Sequence, residues 1–153
     1  MPKTSAKDAL DDPTSVEVRM ADKHDADELS AMNYEFNGVT VTSQHILDAL
    51  ATGQEIVAIA MVNDSVVGFA CGQFHRSFCY NSLSGEITEM YVRAAYRRRG
   101  VGSALLVFLE RELRKRGVTG VRILTGQDNE AALGLYFGLD YLEKDETVLA
   151  KEL

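Results

Sequence analysis

Glu89-Met-Tyr-Val-Arg-Ala-Ala-Tyr-Arg-Arg-Arg-Gly-Val-Gly-Ser-Ala-Leu-Leu106 leads from an apolar strand, through a basic turn with two glycines, into the start of a helix. The strand is expected over residues 87–92 and the helix over about 102–116, with Leu105, Leu106, Leu109 and Leu113 on one face at helical spacing. Lys115, Arg116 and Gly117 close it, because cations suit the negative end of the helix dipole and glycine accepts the left-handed conformation beyond it. The helix therefore begins near Gly100. Amides at such an end have no partner inside the helix and carry partial positive charge, so an anion can dock on them. Arg97, Arg98 and Arg99 add full charges, while Gly100 and Gly102 remove side chains that would obstruct a phosphate.

Two common phosphate loops do not fit. A Walker loop needs four residues between its glycines and then a lysine, and a dinucleotide fingerprint needs a third glycine where Leu105 stands. Arg97-x-x-Gly100-x-Gly102 instead resembles the acetyl-CoA pyrophosphate loop of the GNAT superfamily of N-acetyltransferases. On their own, these residues also fit a solvated basic turn at a helix cap.

The 153 residues suit one domain, which at this size buries roughly two thirds of the surface its unfolded chain exposes. We expect residues 1–13, polar and carrying both prolines, to be a flexible tail ahead of a single domain over 14–153. A net charge of -7 disfavours a general nucleic-acid binder and favours a cationic or neutral partner, leaving the arginine run as a local exception suited to one anionic ligand. Two cysteines, three scattered histidines and no signal-like leader point to a reduced, cytoplasmic protein with neither disulfide framework nor metal site. The longest apolar run, Ile56–Val62, has seven residues, too few to cross a membrane as a helix.

In chain order, residues 16–18 alternate like a short strand, and a helix follows from Asp25 with Asp25-x-x-Glu28 as its capping box. Asn37-Gly38 ends it. A second helix, capped by Thr42 or Ser43, stops near Gly53. Residues 55–62 are apolar on both faces, which calls for a sheet covered by helices on both sides. Asn63-Asp64-Ser65 turns the chain into a returning strand over 66–74, and 75–84 is a polar and aromatic loop before the strand ending at Val92. Residues 121–124 form a strand, 129–139 a helix, and 141–143 with 148–153 a final hairpin around Lys144-Asp-Glu146.

The same order of elements runs through the GNAT fold, so the resemblance extends over about 15–153. The expected architecture is α/β: a central mixed, mostly antiparallel sheet with helices on both faces. Asn129-x-x-Ala132-x-x-Leu135-Tyr136 is similar to a second motif of that family. One departure is Asp140, where the family usually has glycine; aspartate tolerates a left-handed backbone better than most residues.

The resemblance implies transfer of an acetyl group from acetyl-CoA directly to a primary amine, within a ternary complex and without a metal. Met90, Tyr91 and Val92 would line the pantetheine arm, with the backbone of Met90 and Val92 pairing to its amides as to an added strand. Arg97, Arg98, Arg99, Gly100, Val101, Gly102 and Ser103 would hold the pyrophosphate, and Asn129 would contact the cofactor or cap its helix. Glu89 is the expected base, with Glu86 in reserve, and Tyr136 the acid that protonates the leaving thiolate. A carboxylate of ordinary pKa, about 4.3, is a weak base for an amine near 10, so the transfer needs a raised pKa or a relaying water. Glu89 also reads as a solvent-facing strand residue, and Tyr136 as a core aromatic.

Tyr34, Glu35, Phe36 and Tyr80 are expected on the acceptor side, where acidic and aromatic groups suit a cationic amine. Polyamines, aminoglycosides and amino acids are the favoured class; protein lysines and N-termini remain open, as do a homodimer and a non-catalytic acetyl-CoA sensor.

Overall fold

A computed structural model of the chain describes residues 15–153, so the expected tail over 1–13 lies outside the described residues. Five strands, β1 (Glu17–Met20), β2 (Ile56–Val62), β3 (Ser65–Arg76), β4 (Leu83–Val92) and β5 (Val118–Ile123), form one sheet in the order β1-β2-β3-β4-β5. The first three pairings are antiparallel, and β4 with β5 is parallel. Four helices join them: α1 (Ala26–Asn37), α2 (Ser43–Thr52), α3 (Val101–Lys115) and α4 (Glu130–Gly138). This is the mixed, mostly antiparallel α/β architecture expected from the sequence.

Helices cover both faces, as the apolar β2 requires. On one face Leu29 and Met32 of α1, with Ile46 and Leu50 of α2, pack on Val57, Ile59, Phe69 and Cys71. On the other, Leu105, Leu106, Leu109 and Leu113 of α3 are fully buried against Ala58, Ala60, Val67, Ala70 and Ile87, with Leu135, Tyr136 and Leu139 of α4 beside them. The leucine stripe thus lies where its spacing put it. Both glycine stops hold: Gly38 and Gly53 adopt φ of 73° and 64°, and the Thr42 side chain accepts from the His45 amide to cap α2. Asn63 and Asp64 take φ of 49° and 63°, the paired left-handed geometry of a tight hairpin.

Two local expectations are overturned. Asp25 makes no side-chain cap for α1. Its carboxylate is buried and takes two hydrogen bonds from Arg19, at 2.8 and 2.9 Å, and one from the Asp22 amide, closing a capping box one turn earlier. A buried carboxylate goes to the nearest cation, and that outweighs one cap bond. The final hairpin is absent as well: residues 141–153 contain no strand, and their hydrophobic side chains at Leu142, Val148, Leu149 and Leu153 are exposed.

Because Leu109 has no exposed surface at the centre of the α3 contact, Leu109→Ala should lower unfolding stability by about 2–5 kcal/mol. Urea unfolding would show it as a lower midpoint at unchanged slope; an unchanged midpoint would mean that α3 is not the core element described.

Candidate functional site

The site begins where two strands part. β4 and β5 run paired from Leu83↔Val118 to Ile87↔Ile123, and there the pairing stops, although β4 continues to Val92. On its other side β4 stays paired with β3 up to Gly68↔Val92. The Arg93 amide donates to the Val67 carbonyl. By the alternation of an antiparallel ladder, Tyr91 also turns its amide to β3, while Met90 and Val92 turn theirs to the side that β5 has left. The two residues expected to pair with an extended ligand therefore face an open edge.

A bulge sets this up. Cys71 pairs with Glu89 and Gly72 with Ile87, so Thr88 is an extra residue in β4, and its hydroxyl donates to the Cys71 carbonyl at 3.3 Å. One inserted residue reverses which face the following side chains take. Ile87 lies in the α3 core, whereas Glu89 sits across from Cys71 on the α1/α2 face and is exposed. Ile87 and Glu89, two residues apart, would share a face in a regular strand; here they do not.

The open edge runs on to the turn before α3. Gly100 takes φ of 79° and leaves the helix without a side-chain cap. Ala104 is the first amide to bond backward, to the Gly100 carbonyl at 3.0 Å; the amides of Val101, Gly102 and Ser103 donate to no acceptor among the described residues. They form an uncapped helix end, the kind of end on which an anion can dock. Gly102 allows a close approach, because a β-carbon there would lie 3.0 Å from Leu135 of α4 and 3.8 Å from the Met90 thioether. Met90, Gly102 and α4 thus meet at one point.

The arginines divide their work. Arg97 donates to the Val92 carbonyl at 2.8 Å and lies over the Tyr91 ring, Arg99 lies over Tyr96, and Arg98 holds φ of 61°. The Val92 carbonyl is therefore already occupied by the chain's own guanidinium. Asn129 serves as the cap of α4, accepting from the Ala132 amide at 3.3 Å.

On the acceptor side, Glu35 is not a free carboxylate. Arg93 bonds both its oxygens, at 2.8 and 3.1 Å, and the Tyr91 hydroxyl donates to it at 3.2 Å. Arg93 also pairs with Glu28, and its guanidinium is raised above its ordinary range, chiefly through the Glu35 hydrogen bonds. Phe36 packs against Phe69 and Tyr91, with ring centres 6.0 and 5.7 Å apart. Both residues fasten α1 to the sheet, while Tyr34 and Tyr80 stay exposed. The reserve base Glu86 is bound to Arg122 at 2.9 Å.

Tyr136 belongs to a separate group. Its ring lies 5.9 Å from that of Tyr141, and both line a groove along the outer side of β5; burial pushes the Tyr136 phenol up. Asp140 adopts φ of 66° just before Tyr141, the left-handed turn its neighbourhood calls for.

Sequence reasoning missed Glu55. It immediately precedes β2 and shares the α1/α2 face with Cys71 and Glu89; burial pushes its carboxyl up, the Cys71 thiol bonds to it and lowers it, and the Glu89 charge raises it further. The apolar run hid it, because nothing local says that its cross-sheet neighbour bears the same charge.

Residues 22–139 match the model of the acetyltransferase (GNAT) family. An acetyltransferase of Yersinia pestis (strain Pestoides F) is 34% identical over 99 residues, which are 65% of this chain and 66% of that protein. An acetyltransferase of Pectobacterium atrosepticum is 30% identical over the same shares. Among solved structures, an aminoglycoside acetyltransferase from an uncultured soil metagenomic sample, in complex with sisomicin, superposes with a TM-score of 0.78 at 14% identity, covering 90% of this chain and 95% of that one. A ribosomal-protein-alanine N-acetyltransferase from Brucella melitensis biovar Abortus 2308 gives 0.78 at 16% identity, covering 91% and 99%. At such identities the likeness is one of fold.

Among the described residues no cluster suited to holding a metal ion occurs, and no helix is long and apolar enough to cross a membrane. The raised carboxyl of Glu55 has a measurable consequence. A carboxyl whose folded pKa exceeds its unfolded one contributes most below the unfolded value and loses that contribution as pH rises through the folded value. Glu55→Gln, neutral at every pH, should therefore raise Tm at pH 8 and converge with the parent near pH 4. A lower Tm at pH 8 would show that the ionised carboxylate is instead favourably held.

Proposed function

The chain belongs to the acetyltransferase (GNAT) family, and on that premise we propose that it moves an acetyl group from acetyl-CoA directly to the primary amine of a small cationic molecule. The observation carrying this reading is the continuity of two features: the edge of β4 at Met90 and Val92, left free by β5, leads to the uncapped amides of Val101, Gly102 and Ser103. An extended amide chain ending in a pyrophosphate fits that sequence of donors, with Arg97, Arg98 and Arg99 beside the charged end. The residues fit coenzyme A, whose acetyl thioester would supply the activated acetyl group.

In this reading the chain contributes position, charge and proton handling. The ligand lies along β4 with its reactive end near Met90, whose outward amide is placed to stabilise an oxyanion. Glu89, exposed on the α1/α2 face, accepts the proton leaving the attacking ammonium, directly or through water. Glu55 lies on the same face as a second carboxylate, whose pKa is raised by burial and further by the Glu89 charge. As the new C–N bond formed, the C–S bond would break, and Tyr136, which packs with Leu135 and Met90 on the same core although its ring also borders the groove beyond β5, would give its proton to the thiolate. A phenol held up by burial keeps that proton at neutral pH.

The acceptor class rests on charge. A chain of net charge -7 attracts polycations, and Tyr34 and Tyr80 are exposed aromatics suited to ammonium groups. The fold likeness does not choose, since an aminoglycoside enzyme and a ribosomal-protein enzyme superpose equally well.

Coenzyme A release from acetyl-CoA, followed across polyamines, aminoglycosides, amino acids and lysine peptides, tests the proposal. Release dependent on a small cationic amine is the expected result. Release only with peptides would move the acceptor to protein, and tight binding without release would make the chain a sensor. With the best acceptor, Tyr136→Phe should lower kcat by about 100-fold or more while the Kd for coenzyme A is unchanged; an equal loss in both would assign Tyr136 to packing.

A further inference from the structure

Tyr136 has two different neighbourhoods. On one side it packs on the core that Leu135, Met90 and Val92 also cover. On the other lies the groove beside β5, about 1010 Å³ in volume and roomy enough to take a phenol. A tyrosine on a helix has two ordinary χ1 rotamers, so α4 alone does not fix which way the ring points. An acid must meet its thiolate at hydrogen-bond distance, and the direction of the ring decides whether it can.

Tyr141 lines the groove next to that ring. Asp140 takes the left-handed φ of 66° that ends α4, and the Tyr141 amide turns back to donate to the Tyr136 carbonyl at 3.0 Å, the closure of a Schellman end. This brings the two ring centres to 5.9 Å at an interplanar angle of 55°, within the range of an attractive aromatic pair. At its far end the Tyr141 hydroxyl donates to Glu110 of α3 at 2.8 Å. Burial first, and then the Glu110 bond and charge, push the Tyr141 phenol up, so it keeps its proton and stays an anchor.

We propose that Tyr141 and Glu110 are positioning residues for the acetyl transfer: Tyr141, tied to α3 through Glu110, holds the Tyr136 ring on the Met90 side and out of the groove. The inference rests on the reading of Tyr136 as the acid. It also accounts for a hydroxyl at position 141, because phenylalanine would pack against Tyr136 but could not tie itself to Glu110. α3 then carries both ends of the site. Its first turn presents the amides for the anion, and Leu135 of α4 lies against Gly102 there. Glu110 stands just over two turns and about 12 Å further along the same helix. A cofactor held by its pyrophosphate and an acid held through Glu110 are thereby placed relative to one rigid element.

The test uses the full chain, with coenzyme A for affinity and the panel amine giving the fastest release for turnover. Tyr141→Leu should lower kcat by about 10- to 100-fold while keeping the parent's Kd for coenzyme A and far-UV circular dichroism. Tyr141→Phe, which retains the ring, should lose about 3- to 10-fold, and Glu110→Gln, whose amide oxygen still accepts, should lose less than Glu110→Leu. The deciding comparison is made in Tyr136→Phe, where nothing remains to be positioned: adding Tyr141→Leu should cost no further turnover. An equal loss in both backgrounds would assign Tyr141 to general packing and overturn the proposal. If Tyr136→Phe keeps the parent's kcat, or no amine releases coenzyme A, the acid reading falls and the positioning role falls with it. A drop in Tyr136→Phe that Tyr141→Leu does not share would remove the positioning role alone. Should Tyr141→Leu fail to fold, Tyr141→Phe, alone and combined with Tyr136→Phe, makes the same comparison.

Discussion

Everything at the candidate site depends on β4 losing one partner before it loses the other. Up to Ile87 it is held on both sides; beyond that, β3 alone holds it through Gly68↔Val92. A strand held on one side keeps its shape while presenting unpaired backbone groups, which is ordinarily a hazard at a sheet edge. Here the exposed stretch is short and internal to the fold. It ends in a turn of arginines above an uncapped helix, and the proposed slot for one extended, anionic ligand rests on that combination.

Keeping that slot in place takes force from the opposite face. Arg93, the first residue beyond β4, bonds the Val66 carbonyl and both acidic residues of α1 that reach it, Glu28 and Glu35. Tyr91 adds its hydroxyl to Glu35 and its ring to Phe36, and Arg97 lies over the same ring. The helix assigned to the acceptor side and the turn assigned to the anion are thus both fixed to the last residues of β4. Pairs this exposed contribute little singly; their effect here is to set geometry. Glu35 illustrates the trade, because a carboxylate engaged by a guanidinium is no longer available to an incoming amine.

Much of this was legible in the sequence because its causes are local. The leucine stripe, the glycine stops, the Thr42 cap and the Asn63-Asp64 turn each depend on residues within one helical or hairpin turn, and each lies where its pattern put it. The basic glycine turn before α3 was legible for the same reason. What was not legible depends on partners distant in sequence. The Thr88 bulge exists only relative to β3, and it places Glu89 beside Cys71 rather than Ile87. Asp25 matched a capping box and was drawn instead to Arg19. Glu55 looked like the polar end of an apolar run until the sheet placed two more groups on its face.

The missing hairpin is the most instructive difference. Residues 141–143 and 148–153 carry a good strand pattern, and pattern alone cannot say which chain supplies the neighbouring strand. Alternation specifies that a segment will pair; the turn specifies whether it pairs with its own chain. At Asn63-Asp64 both residues reach the left-handed region and the hairpin closes. At Lys144-Asp145-Glu146 it does not close, and Thr147, Val148 and Leu149 beyond it line the groove beside β5 without pairing to that strand. The same strand propensity yields a hairpin in one place and an unpaired arm in the other, and the difference lies in two or three turn residues.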